Sequence, residues 1–307
     1  MRVIFMGTPD FAVPVLDALV AADHEIICVV AQPDRPKGRG HKLVSPPTVM
    51  RARELGIPVR QPKAVRRGPF VDWMTTADAD VAVVVAYGRI LIPTLLDAPK
   101  HGCINVHASL LPKYRGAAPI NWAVVRGETE TGVTTMAMAE GLDTGDMLLE
   151  SRTLIGENET AGELYQRLST MGASLAVETL ATLSEIRPRP QEHSAHTLAP
   201  LIDRSLAEID WTQDAQTIHN LIRGFHPWPT AWTTLAGERL KVHSSRVVDA
   251  SGSAGTIIKA DKTVVVAAAQ GGIALNMVQL AGKRAQPGRD LVNSGRIKEG
   301  MTLGQEA

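Results

Sequence analysis

The chain has 307 residues, 44% of them hydrophobic and 21% charged, and its formal net charge is zero. That length suits two domains with sizeable cores, and the composition is ordinary for a soluble globular protein. A neutral balance excludes polyanion binding driven by overall charge, so a nucleic-acid site would have to be a local patch.

The opening run Val3–Met6 is too short for a signal peptide or a membrane span and reads as a first β-strand, ended by Gly7-Thr8-Pro9-Asp10. Phe11, Val15, Leu16 and Leu19 then recur at helical spacing, with Asp10 as the expected N-cap. Strands are expected at 25–31, 81–86, 102–106, 133–138 and 148–155, and helices at 117–125 and 159–183. The run from Val81 is apolar on both faces, as in a parallel sheet covered by helices. Strand–helix alternation of this kind predicts a Rossmann-like, doubly wound α/β domain over 1–187. Arg187-Pro-Arg-Pro190 stops the long helix and opens a linker over 188–207. Beyond it, short strands near 240, 255, 263 and 272 alternate with Gly, Asp and Ser turns, predicting a small OB-like β-barrel over 208–307. Cys28 and Cys103 have no CxxC spacing and no adjacent His cluster. They suggest a reducing cytosol, with no metal site, redox motif or disulfide scaffold.

Two segments carry chemistry. In Cys103-Ile-Asn-Val-His-Ala-Ser-Leu-Leu-Pro112, Asn105 and His107 lie two apart at a strand end. Alternation puts both side chains on one face, at the sheet edge where α/β proteins bind ligands. An amide donor beside an imidazole can grip a carbonyl oxygen and assist proton transfer. By themselves, though, the two residues could equally be a turn cap and a satisfied polar group. Glu140-Gly-Leu-Asp-Thr-Gly-Asp146 is a tight acidic loop in which Asp143 could simply close an Asx turn. Cys103 shares the face of Asn105 but lacks an evident activating base.

Eight collinear segments extend the pattern: 5–11, 32–43, 84–88, 102–112, 114–119, 141–147, 209–211 and 222–229. Through them the chain resembles the bacterial methionyl-tRNA formyltransferase family, within the wider 10-formyltetrahydrofolate-dependent formyltransferases. Beyond residue 230 the likeness is one of barrel pattern rather than of motif. The resemblance implies transfer of a formyl group from 10-formyltetrahydrofolate to methionine on initiator tRNA, by a cytoplasmic monomer that needs no membrane. It places the family's catalytic Asn, His and Asp on Asn105, His107 and Asp143. It also lines the folate site with Tyr87, Gly88, Ile90, Leu91, Ser109, Leu110, Leu111 and Pro112.

Two features bear on the acceptor. Arg35, Lys37, Arg39 and Lys42 alternate with glycines and prolines in a basic loop able to meet phosphates and base edges. The resemblance directs this loop to the tRNA acceptor stem, with Arg39 sensing its unpaired end. On the barrel, Lys241, Arg246, Lys283 and Arg284 are the candidates for backbone contact. Trp228 and Trp232 are expected to pack linker against barrel. Two departures stand out. Arg204 is the one basic residue of 201–208, where relatives carry lysines, and Ala108 replaces a common glycine. A nicotinamide dehydrogenase would need GxGxxG where this chain has Gly7-Thr-Pro. A sugar-amine formyltransferase would leave the basic loop and barrel without a role. An RNA-binding module without activity would not need the intact trio.

Overall fold

The structure is a computed structural model that describes residues 1–37 and 42–304. The chain forms two compact units. Residues 1–119, 131–153 and 165–199 make the first, and residues 120–130, 154–164 and 200–307 the second.

The first unit begins with β1 (Arg2–Gly7), α1 (Val13–Ala21), β2 (Glu25–Val30) and the antiparallel pair β3 (Arg35–Lys37) and β4 (Lys42–Val44). It continues through α2 (Pro47–Glu54), β5 (Val59–Arg60), α3 (Pro69–Thr76), β6 (Val81–Val85), α4 (Pro93–Leu96), β7 (Cys103–His107) and β8 (Arg115–Gly116). After α5 (Pro119–Val125), which belongs to the second unit from residue 120 on, come β9 (Glu130–Ala137), β10 (Met147–Leu154), α6 (Ala161–Ala181) and β11 (Leu198–Ala199). Seven strands form one sheet in the order β10-β9-β7-β6-β1-β2-β5. The five from β7 to β5 run parallel, and β9 pairs with β7 antiparallel. Chain order reverses between β1 and β6, which makes their carboxyl ends a topological switch point.

All five residues of β6 are buried, as its unbroken apolar sequence requires. A Cβ built on Gly172 of α6 would lie 3.1 Å from Val106 Cγ1. The helix therefore closes one face of β7, and Asn105 and His107, at the alternate positions, point to the other. That second face carries the cluster of Ile4, Met6, Val30, Val84, Leu95 and Cys103.

Two local expectations are corrected. Asp10 does not cap α1. It opens a short 3-10 turn, and its carboxylate accepts instead from Tyr165 Oη (2.6 Å) and Phe11 N (3.1 Å). Residues 188–199 are not a free tether: Arg189 pairs with Met147, Gln191 is buried, and β11 runs parallel to β8.

The second unit contains α7 (Ala215–Gly224), β12 (Trp232–Leu235), β13 (Glu238–Val248), β14 (Ile257–Ala260), β15 (Val264–Ala267), β16 (Gly272–Leu280), β17 (Gln286–Pro287) and α8 (Gly288–Asn293). Its strands form a curled antiparallel sheet in the order β12-β13-β16-β15-β14, with β17 beside β16. This is a half-barrel of OB-like character, curved by register shifts around Ser244. Asp214 caps α7 by accepting from Thr217 N at 2.9 Å, and His219 Nδ1 meets Ser245 Oγ of β13 at 3.0 Å. Trp211, Ile218, Ile222, Leu240, Val242 and Leu275 fill the core. Trp228 does not pack there; it is 52% exposed. Trp232 is half-buried, with its Nε1 donating to Arg204 O (3.3 Å) and the Arg239 guanidinium 3.9 Å over its ring.

Leu240→Ala should destabilise the second unit by about 2–5 kcal/mol, because the residue is fully buried there. Val247→Ala, at an exposed position of the same strand, should cost no more than about 0.5 kcal/mol. Urea unfolding of the whole chain followed by Trp fluorescence checks both.

Candidate active site

β7 is buried at every residue, so its polar side chains must find partners inside the protein. They find them in the 138–146 loop and at the Tyr114 carbonyl. Asn105 Nδ2 donates to Asp143 Oδ1 at 3.3 Å, and His107 Nδ1 faces Asp143 Oδ2 at 3.7 Å. The N–H of Gly116 donates to the same Oδ2 at 2.8 Å. The other ring nitrogen, His107 Nε2, lies 3.0 Å from the carbonyl oxygen of Tyr114. A carbonyl only accepts, so Nε2 carries a proton, and in the neutral ring Nδ1 is the bare nitrogen turned to the carboxylate. The three residues singled out from sequence thus converge within one unit.

The loop is held in an uncommon shape. Asp143 has φ of 52°, the left-handed region, and a Cβ on Gly145 would run into the carbonyl oxygen of Ala137. Gln191 Nε2 donates to the carbonyls of Asp143 (2.9 Å) and Gly145 (2.7 Å). Its Oε1 accepts from Arg115 at 3.0 and 2.7 Å, and the same guanidinium reaches His193 Nδ1 at 3.2 Å. Burial pulls the Arg115 guanidinium below its ordinary pKa, while the charge of Asp143 works the other way. Neither Arg115 nor Gln191 stood out in the sequence. Arg115 lay inside a matching segment without a role, and nothing in the chain near Gln191 marks it.

The residues expected to border a folate fall into two groups. Ser109 is buried, with Oγ donating to Lys113 O (2.6 Å) and its carbonyl accepting from Thr134 Oγ1 (2.7 Å). Thr134 in turn accepts from Leu111 N at 3.2 Å. Leu110 and Pro112 are half-buried and Leu111 is buried. At the end of β6, the carbonyls of Tyr87 and Gly88 accept from Gln32 Nε2 at 3.0 and 3.1 Å. This sets a turn with positive φ at Ala86 and Gly88. Leu91 is buried, whereas Ile90 is 64% exposed and Leu142, next to Asp143, is 56% exposed. Open apolar side chains on loops flanking a polar cluster suit a flat, partly apolar ligand. Tyr87 packs in the core, its hydroxyl buried without a partner and its pKa pushed up to about 12 by desolvation.

Cys103 shares the face of Asn105, but its thiol is buried, donates to Leu95 O at 3.4 Å and has its pKa pushed up to about 12 by desolvation. That environment suppresses a thiolate nucleophile. No cluster of three or more His, Cys, Asp or Glu side chains able to hold a metal occurs among the described residues. No helix among them is long and apolar enough to cross a membrane.

Of the basic candidates, Arg35 and Lys42 are exposed on β3 and β4. The side chain of Lys37, and Arg39 altogether, lie outside the described residues. On the half-barrel, Lys241 is opposite Gln279, whose Nε2 donates to Lys283 O at 2.7 Å, so Lys241 adjoins the exposed Lys283–Arg284 turn. Arg246 is exposed farther along β13, opposite Ala274. Arg239, stacked on Trp232, is a surface cation that the sequence reading missed.

Comparison with known proteins accords with this arrangement. Residues 1–180 match the formyl transferase family, and residues 201–296 match the formyl transferase C-terminal domain. A methionyl-tRNA formyltransferase from Ruegeria pomeroyi is 49% identical over 303 residues, spanning 99% of this chain and 100% of the relative. One from Geobacter metallireducens is 46% identical over 307 residues, 99% of each chain. Among solved structures, an N-formyltransferase from Helicobacter canadensis in complex with folinic acid and dTDP-3-aminofucose has the same fold. Its TM-score is 0.67 at 17% identity, over 90% of this chain and 98% of that one. By these matches the chain belongs to the formyl transferase family, among the methionyl-tRNA formyltransferases.

Proposed function

We propose that the protein moves a formyl group from 10-formyltetrahydrofolate to the amino group of methionine on initiator tRNA, with Asn105, His107 and Asp143 as its catalytic residues. The observation that carries this reading is the convergence of an amide donor, an imidazole and a carboxylate at the carboxyl end of β7. Attack of the methionyl amine on the formyl carbon builds negative charge on the formyl oxygen. Asn105 is the donor that meets that charge. Because Nε2 of His107 is committed to Tyr114, the nitrogen free to handle a proton is Nδ1. A proton arriving there faces the Asp143 carboxylate, which stabilises the imidazolium until the proton passes to the leaving folate nitrogen.

The folate lies along the 86–91 turn and the 109–112 segment, with Ile90 and Leu142 offering apolar cover. The first unit supplies the chemistry. The half-barrel, residues 208–307, binds tRNA through Lys241, Arg246, Lys283 and Arg284, and the basic loop contributes Arg35, Lys37, Arg39 and Lys42. The protein works as a cytoplasmic monomer. A chain of zero net charge must bind tRNA through such local cations, and each phosphate they neutralise releases counterions.

Asn105→Ala, His107→Ala and Asp143→Ala should each lower single-turnover transfer to methionyl initiator tRNA by roughly 10²–10³-fold while the proteins remain folded. Two of the three variants keeping near wild-type rates would end the assignment. Binding of tRNA should weaken with salt. Each neutralising substitution among Lys241, Arg246, Lys283 and Arg284 should flatten the log Kd against log salt slope by about one unit. An unchanged slope in the quadruple variant would remove the half-barrel from the tRNA contact.

A further inference from the structure

The geometry points to Arg115 and Gln191 as positioning residues for the transfer: together they hold the backbone of the 143–145 loop so that the Asp143 carboxylate stays opposite Asn105 and His107. This rests on the reading of Asp143 as catalytic, and adds residues that act through it.

The argument is one of donors and acceptors. Gln191 is buried, and both ends of its carboxamide are used. Arg115 presents only N–H groups, so the end of Gln191 facing it, at 3.0 and 2.7 Å, must be the oxygen. The amide nitrogen is thereby aimed at the carbonyls of Asp143 and Gly145, at 2.9 and 2.7 Å, and has two hydrogens to give. No other orientation of the side chain satisfies all four contacts.

Asp143 is therefore gripped at both ends. Gln191 holds its carbonyl, and the N–H of Gly116 holds its carboxylate at 2.8 Å. The adjacent residues Arg115 and Gly116, which make up β8, deliver both grips, one through Gln191 and one directly. β8 is itself fixed by the segment that carries Gln191, since Arg115 N donates to Thr197 O and Ala117 N to Ala199 O, both at 2.9 Å. The grip offsets the strain of a left-handed aspartate. Without it the loop can relax, and the carboxylate moves away from His107 Nδ1.

Gln191→Glu separates this role from simple packing. The variant keeps the side chain's size and its contact with Arg115 but turns an oxygen, in place of a donor, toward the two carbonyls. Single-turnover transfer should fall about 10–100-fold, the scale of a misplacement near 1 Å. The KM values for folate and tRNA should stay within about twofold of wild type. On an Asp143→Asn background, the same substitution should cause no further loss, because its effect passes through Asp143. A wild-type rate in folded Gln191→Glu, a loss confined to KM, or full additivity with Asp143→Asn would each overturn the proposal. Asp143→Asn alone keeping the wild-type rate would instead remove the underlying reading of Asp143. If Gln191→Glu does not fold, Gln191→Met, which keeps the length but loses donor and acceptor, should show the same rate loss. Failure of both to fold would mean that the pair holds the domain rather than the loop, and would equally overturn the proposal.

Discussion

A strand buried along its whole length cannot carry polar side chains unless the fold brings partners to them, and β7 carries two. Asn105 and His107 have no room to reach water freely, so the unit is organised around supplying them. The carboxylate of Asp143 accepts from Asn105 and lies 3.7 Å from His107 Nδ1, and the Tyr114 carbonyl accepts from the other imidazole nitrogen. Much of the surrounding structure follows from that supply. For the 138–146 loop to bring Asp143 over the strand it must turn through a left-handed residue and past a glycine packed on Ala137. That turn in turn needs hydrogen bonds from Gln191 and Gly116.

The same constraint explains the chemistry the site can perform. One imidazole nitrogen of His107 is held by a carbonyl and the other faces a carboxylate, and the proposed transfer would use the second. In the proposed transfer Asn105, already fixed by its bond to Asp143, would meet developing charge as a preorganised donor. The apolar core under the same face, from Ile4 to Cys103, excludes water from below and leaves the thiol of Cys103 inert. Oxygen acceptors and amide donors carry the site's polar work.

The second unit solves a separate problem. Its core is closed by α7, whose buried His219 meets Ser245 of the curled sheet, so the outer face of β13 is free to carry cations. Those cations are few and spread along the strands, with Lys241 near the Lys283–Arg284 turn and Arg246 apart from them. Individually exposed charges bind weakly through water. A polyanion that touches several at once gains from all of them.

Sequence by itself determined six of the seven strands of the large sheet, the long helix α6 and the change to short strands beyond the 188–207 linker, while α2, α3, α4 and β5 went unread. Periodicity is a local property, and β6 or α6 announces itself within its own length. It also showed Asn105 and His107 as a same-face pair and Asp143 in a glycine loop, and the family resemblance, not their spacing, joined the three as a trio. Only the tertiary structure decided that these three residues meet. It also turned Asp10 from a cap into the partner of Tyr165, left Trp228 in solvent, and built residues 188–199 into the first unit. Arg115 and Gln191 show the reason most clearly. They lie 76 residues apart, and each is unremarkable in its own neighbourhood. Their meaning comes from a hydrogen-bond geometry that exists only once the sheet has brought β8, the 143–145 loop and the segment after α6 together.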